Sequence, residues 1–337
     1  MRNDRLVFAA GYGGRGANDR VAVWSLSKAI TAVCVASLVK DGKLRFDDQI
    51  GPLLVPIFAR FGEPADERLR RITVAQLITH RSGIPRVAVA GDNKFAPGLI
   101  ELLRQRPSHE LTAEMLMPRI LKVSLGCDPG ADFEYTNMGY VLLGQIIEIL
   151  SGRSYKTACR ERVLARAGIK QPSLDGEWGR IMQAAGGWAL SGPEYLGFAR
   201  LLQPNEPGLL GSEAFEFLRS AQGKWTNPER TVAYSLGVFL YPIVAGAKPN
   251  IFHTGGHNWR QNDAAGGAID VNQGTSFVLA RDGVSWFASY EGLNAGTHPE
   301  VTSELDRAFW RAHDSILSWP EHDEFSAMGV GPIAIAR

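Results

Sequence analysis

The sequence predicts an α+β protein, an α/β sandwich joined to a helical region, on three observations. Strand-like apolar runs lie toward both chain ends. The stretch between them, from about Leu44 to Thr231, is mostly helical in period. Asp282-Gly283 between two apolar runs is a hairpin signal.

Taken in order, Arg5–Tyr12 reads as a strand running into Gly11, Gly13, Gly14 and Gly16, which suit a hairpin turn and lack the Gly-Lys-Ser/Thr ending of a phosphate loop. Val21–Trp24 is a short extended run that leads into a helix over Ser25–Lys40, stopped by Asp41-Gly42. Helical pieces follow at Val74–Thr79, Gly98–Arg104, Thr112–Leu121, Gly139–Leu150, Tyr155–Ala167, Glu194–Leu202 and Ser212–Ser220, punctuated by Pro and Gly. Strands return at Tyr234–Tyr241, Asn250–Thr254, Thr275–Arg281 and Val284–Tyr290. Val301–Leu317 is an amphipathic helix with Leu305, Phe309 and Trp310 on its buried side. Strands at both ends enclosing helices imply residues 1–45 with 232–320 as one α/β domain around an antiparallel sheet, 46–231 as a mainly helical insertion, and 321–337 as a C-terminal tail.

Composition narrows the function. The 337 residues carry 36 Lys plus Arg against 35 Asp plus Glu, a net charge of +1. No basic block exists to grip nucleic acid or an acidic membrane. The apolar run around Ala29–Val39 is too short to cross a bilayer. Cys34, Cys127 and Cys159 are widely spaced, so neither a disulfide framework nor a thiolate zinc site is indicated. The first residues lack the basic and apolar regions of a secretory signal, which reads as cytoplasmic as written and as periplasmic or secreted if the start is truncated. A pocket for a small molecule is the expectation.

Three segments could carry chemistry. Ser25-Leu26-Ser27-Lys28 places a hydroxyl and an amine on one helix face, and a Lys kept neutral by burial can take a serine proton. Ser37-Leu38-Val39-Lys40 matches the same pattern, but Lys40 falls in the last helical turn, where a solvated cation is expected. The alternative for Ser25 and Lys28 is an N-cap and a surface cation. In Tyr135-Thr136-Asn137, Tyr135 could shuttle a proton and Asn137 could offer its amide to a carbonyl, or the two could be a core aromatic and a helix cap. His253-Thr254-Gly255-Gly256 ends an apolar strand where glycines admit a close backbone, or is an ordinary turn.

Together and in this order, these segments resemble the serine β-lactamase and penicillin-binding-protein superfamily. The resemblance is to the group of class C β-lactamases, D-Ala-D-Ala carboxypeptidases, D-aminopeptidases and family VIII-type esterases. Ile72-Thr-Val-Ala-Gln-Leu-Ile-Thr-His-Arg-Ser-Gly-Ile-Pro-Arg86 and the run Ala184 to Leu202 are similar to landmarks of that group, and the likeness covers roughly residues 5 to 315. It implies a β-lactamase/transpeptidase-like fold with an antiparallel sheet flanked by helices. It also implies Ser25 as nucleophile, Lys28 as its proton acceptor and Tyr135 as partner base and acid. Asn137, His253, Thr254, Gly255 and Gly256 would bind substrate, with the Gly256 and Ser25 N–H groups as oxyanion hole.

The implied activity is a serine hydrolase acting through an acyl-enzyme on an ester, amide or short peptide. No cofactor and no metal are implied. His253 stands where β-lactamases carry a lysine, which points to esterase or D-peptidase activity with weak β-lactam hydrolysis. A slowly turning-over acyl-peptide or penicillin sensor, and an acyltransferase, are the alternatives on the same fold. Only 24 residues precede Ser25, fewer than is usual in the group, which implies a missing edge strand or a later start. His80 reads as a loop-bracing hydrogen-bonder. Trp188, Asn258 and Trp259 read as pocket wall or packing, with 85–118, 186–191 and 256–267 as the walls.

Overall fold

Residues 1–86, 112–174, 176–203, 207–221, 223–243, 248–262, 268–293 and 298–334 are described by a computed structural model. The helix expected over Gly98–Arg104 lies outside them. Two sheets are present among the described residues. The smaller is antiparallel and joins β1 (Val21–Ala22), β3 (Trp188–Leu190) and β2 (Ser173–Leu174), with β3 in the middle. The larger is an antiparallel meander of β4 (Ala233–Ser235), β5 (Val238–Tyr241), β6 (Asn250–Asn262), β7 (Ala268–Leu279) and β8 (Ser285–Leu293).

Helix α1 (Ser27–Lys40) is buried along all but its last residue, as a helix apolar on every side must be. Helix α2 (Val74–Ile78) packs on α3 (Asn137–Ser151), which together with α4 (Gly176–Gly186) and α6 (Pro207–Arg219) packs on α1, while α5 (Gly192–Ala199) packs on β8. Capping boxes at Thr73/Gln76 and Ser191/Glu194 start α2 and α5, and Gly152 in the left-handed region ends α3. Helix α7 (His298–Ser315) covers the far face of the large sheet, with Phe309 stacked on Trp286 at 5.4 Å and Trp310 meeting it edge-on at 4.8 Å. The period of two shows in β7, where Phe277 and Leu279 enter the main core while Val278 joins the cluster under α7. The sheet is thus covered on both faces.

Several expectations are corrected. The five strands of the large sheet all come from the C-terminal half, because β1 pairs with β3 instead, although Met1 and Arg2 pair antiparallel with Ser285 and Val284 at the start of β8. Arg5–Tyr12 is not a strand: Leu6 bonds to Asp323 and Glu324, so the segment is held by the chain's other end, and Phe8 and Tyr12 stay exposed. Gly11–Gly16 accordingly forms an isolated turn rather than a hairpin, with Arg15 N–H donating to Tyr12 O. Tyr234–Tyr241 is two strands, since Leu236 and Gly237 both have positive φ (47° and 79°) and turn the chain. Helix α4 leaves no clear helical period in the sequence, because Gly176, Gly179 and Gly186 interrupt it. The Asp282-Gly283 hairpin joins β7 to β8 as read from the sequence.

The C-terminal segment is packed rather than loose: Phe325 and Val330 belong to the main core, and Arg200 lies 4.3 Å over the Phe325 ring. Phe325→Ala is expected to lower unfolding free energy by about 3–5 kcal/mol in a urea titration; an unchanged midpoint would show that this segment contributes nothing.

Candidate active site

Ser25 does not cap α1. It sits in a 3₁₀ turn, Trp24–Leu26, that precedes the helix, and Trp24 is held at φ 48°, a conformation costly for a non-glycine residue. The kink leaves Ser25 half-buried while Lys28, three residues on, is fully buried. Ser27 accepts the Trp188 N–H at 3.1 Å and so ties the turn to β3.

Lys28 Nζ lies 3.0 Å from Ser25 Oγ, 2.8 Å from Asn137 Oδ1 and 2.7 Å from the Ala185 carbonyl oxygen. Burial pushes its pKa well below the usual lysine value of 10.5. A neutral amine has two hydrogens and one lone pair. Asn137 Oδ1 and Ala185 O can only accept, so they take both hydrogens and leave the lone pair toward the Ser25 hydroxyl. Asn137 is the first residue of α3, and Thr136 rather than Asn137 caps that helix. In the second Ser-x-x-Lys match, Ser37 Oγ donates to Cys34 O at 2.6 Å and Lys40 is exposed, so that copy is structural.

The Tyr135 ring stands 4.9 Å from Lys28 Nζ. Its hydroxyl is buried without a hydrogen-bond partner among the described residues. Burial raises its pKa, and the nearby Ser25 hydroxyl offsets only part of the rise, so Tyr135 is a protonated phenol at neutral pH. An unpaired buried hydroxyl is costly unless a ligand completes it.

His253 is brought to the site, 6.1 Å ring to ring from Tyr135, but it does not face a ligand. It is 2% exposed; Nδ1–H donates to Thr254 O at 2.6 Å and Nε2 accepts from Tyr234 Oη at 3.0 Å. Burial pushes its pKa down to about 3, so it is neutral. The expected substrate-facing imidazole is therefore a wall, both nitrogens being used internally. Trp188 is also core, with Nε1 donating to Tyr155 Oη at 2.9 Å. The side chains of Asn258 and Trp259, and most of the 85–118 wall, lie outside the described residues.

Gly255 passes so close to the nucleophile that a Cβ there would sit 2.8 Å from Ser25 N and 2.7 Å from Val23 O. Strand β5 pairs with β6 only from Asn250 to Phe252, so among the described residues the same edge of β6 carries no strand partner from His253 onward, through Thr254 and Gly256. An open strand edge beside a serine can hold an extended ligand. A cavity of about 520 Å³, lined by Leu202, Phe215, Leu218 and Leu240 among others, lies elsewhere and includes none of these residues. Sequence reasoning did not single out Ala185, whose contribution is a main-chain carbonyl that no side-chain pattern signals.

A half-buried serine against a buried amine, at the start of a core helix and beside an open antiparallel strand, is the arrangement of a β-lactamase/transpeptidase-like fold. The chain belongs to the Beta-lactamase family, whose family model matches residues 1–282. It is 32% identical over 148 residues to penicillin-binding protein 4 of Amycolatopsis lactamdurans, a match covering 44% of this chain and 34% of that protein. The curated relatives it matches are thus spanned over about a third of their length. Among solved structures, a D-stereospecific amidohydrolase from Streptomyces superposes with TM-score 0.66 at 24% identity over 86% of each chain. EstCE1, described as a hydrolase with promiscuous acyltransferase activity, superposes with TM-score 0.60 at 16% identity over 86% of each chain. At these identities the two structures show a shared fold.

Gly255→Ala is expected to cost about 1–3 kcal/mol through the forced displacement of β6 from the Ser25 turn, measured by chemical denaturation. Full stability would mean that the approach of strand to turn is looser than described.

Proposed function

We propose that this chain is a serine hydrolase that works through an acyl-enzyme on an ester or amide, of esterase or D-peptidase type. The observation that carries this reading is the Lys28 amine, whose two acceptor-only partners leave its lone pair to the Ser25 hydroxyl at 3.0 Å. Ser25 Oγ attacks the carbonyl carbon as its proton passes to Lys28 Nζ. The Tyr135 phenol then donates its proton to the departing alkoxide or amine and is reprotonated from the Lys28 ammonium. Water repeats the sequence on the acyl ester, giving its proton to the same relay and releasing the acid.

Asn137 spends Oδ1 on Lys28 and keeps its Nδ2 hydrogens for the acyl-side amide of a substrate. The N–H groups of Ser25 and Gly256 serve as oxyanion donors, and Thr254 with Gly255 lines the strand edge. The neutral, occupied His253 provides no fixed cation for a substrate carboxylate. That favours esters and uncharged amides over β-lactams, whose hydrolysis would be weak. The D-stereospecific amidohydrolase and EstCE1 supply the range of substrate class.

Intact-mass spectrometry with a p-nitrophenyl ester is expected to show steady turnover and a transient adduct that Ser25→Ala abolishes; normal turnover by Ser25→Ala would overturn the proposal. Lys28→Met removes the lone pair while keeping a side chain of similar length in the buried site, and is expected to lower kcat about 100- to 10,000-fold. Since only the neutral amine accepts a proton, kcat/KM should fall as pH drops through the lowered Lys28 pKa and reach its plateau well below pH 10.5. A rate rising only near 10.5 would show a solvated lysine.

A further inference from the structure

We propose that His80 is the positioning residue of the acylation site, fixing Tyr135 by gripping the backbone on both sides of it. The inference rests on the acyl-enzyme reading above. The main-chain carbonyl of His80 accepts the Glu134 N–H at 2.8 Å, and its Nδ1 accepts the Thr136 N–H at 3.2 Å. These two bonds bracket Tyr135 in the chain. The imidazole also packs on the Tyr135 ring itself, with centroids 4.2 Å apart and planes inclined by 37°. One residue thereby fixes the backbone and the ring plane of the phenol that faces Ser25.

His80 is costly in ways that packing alone does not explain. Its φ of 56° places a non-glycine residue in the left-handed region. Accepting at Nδ1 puts the ring proton on Nε2, and Nε2 is buried with no hydrogen-bond partner among the described residues. Around it stand the rings of Tyr140 at 5.1 Å and Tyr234 at 4.6 Å. An apolar side chain would fill this place without an orphaned donor. What it would lack is an in-plane acceptor for Thr136 N–H on a ring that also packs against Tyr135. Burial holds His80 neutral and keeps Nδ1 an acceptor.

A double-mutant cycle tests this, using single-turnover acylation by a p-nitrophenyl ester and counting only folded, titratable protein. His80→Phe keeps a ring but removes the acceptor. It is expected to slow acylation about tenfold with substrate binding within about twofold, and to add less than about twofold in a Tyr135→Phe background. His80→Asn restores an acceptor and tolerates positive φ, so it should recover part of the rate lost in His80→Phe. Should His80→Phe fail to fold, His80→Asn with and without Tyr135→Phe runs the same cycle. Losses that multiply, or His80→Phe acylating at the parent rate, would overturn the inference. If Tyr135→Phe or Ser25→Ala alone leaves the rate unchanged, the acyl-enzyme reading is what has failed.

Discussion

A lysine amine stripped of water and surrounded by acceptors is the constraint on which the rest of the site depends. An exposed lysine would be protonated at neutral pH and could not take a proton from serine. Burying it disfavours the ammonium, but an unpaired amine in the core would itself be costly. Asn137 Oδ1 and Ala185 O resolve both demands by fixing two hydrogens and aiming the lone pair. Those two atoms come from the first residue of α3 and the end of α4, so the site needs three helices to meet at one point.

The architecture follows from holding that point. Helix α1 is buried on all sides and cannot shift without disturbing the core. The 3₁₀ turn ahead of it lifts Ser25 toward the surface while Lys28 stays dry. Gly237 packs against the Lys28 carbonyl, with space for no side chain there, and Gly255 brings β6 against the Ser25 backbone. Tyr135, His253 and Tyr234 form a wall of neutral aromatic groups on one side, so Ser25 and Lys28 see fixed dipoles rather than mobile charges there.

Much of this was legible in the residues. Ser25 with Lys28, and Asp282-Gly283, were readable because helical spacing and turn chemistry are local. The order Ser-x-x-Lys, Tyr-x-Asn, His-Thr-Gly named, by resemblance, side chains that the fold brings close together. Long-range facts were hidden. Nothing local says that Val21–Ala22 pairs with Trp188–Leu190 rather than with the large sheet, or that Leu6 is tied to Asp323. His253 is bonded by Tyr234, nineteen positions away and two strands over in the meander. The grip of His80 on either side of Tyr135 joins segments over fifty residues apart, and half of it is main chain.

The measurement that reaches the central claim most directly is a ¹³C NMR titration of the lysine Cε resonances. The Lys28 signal would be assigned by its loss in Lys28→Met, which separates it from Lys224, whose pKa burial also lowers, to about 7. A Lys28 resonance that titrates well below 10.5 would establish a neutral base beside Ser25 at working pH. A Lys28 resonance that titrates with the solvent-exposed lysines near 10.5 would contradict it, and with it the role of the amine as proton acceptor.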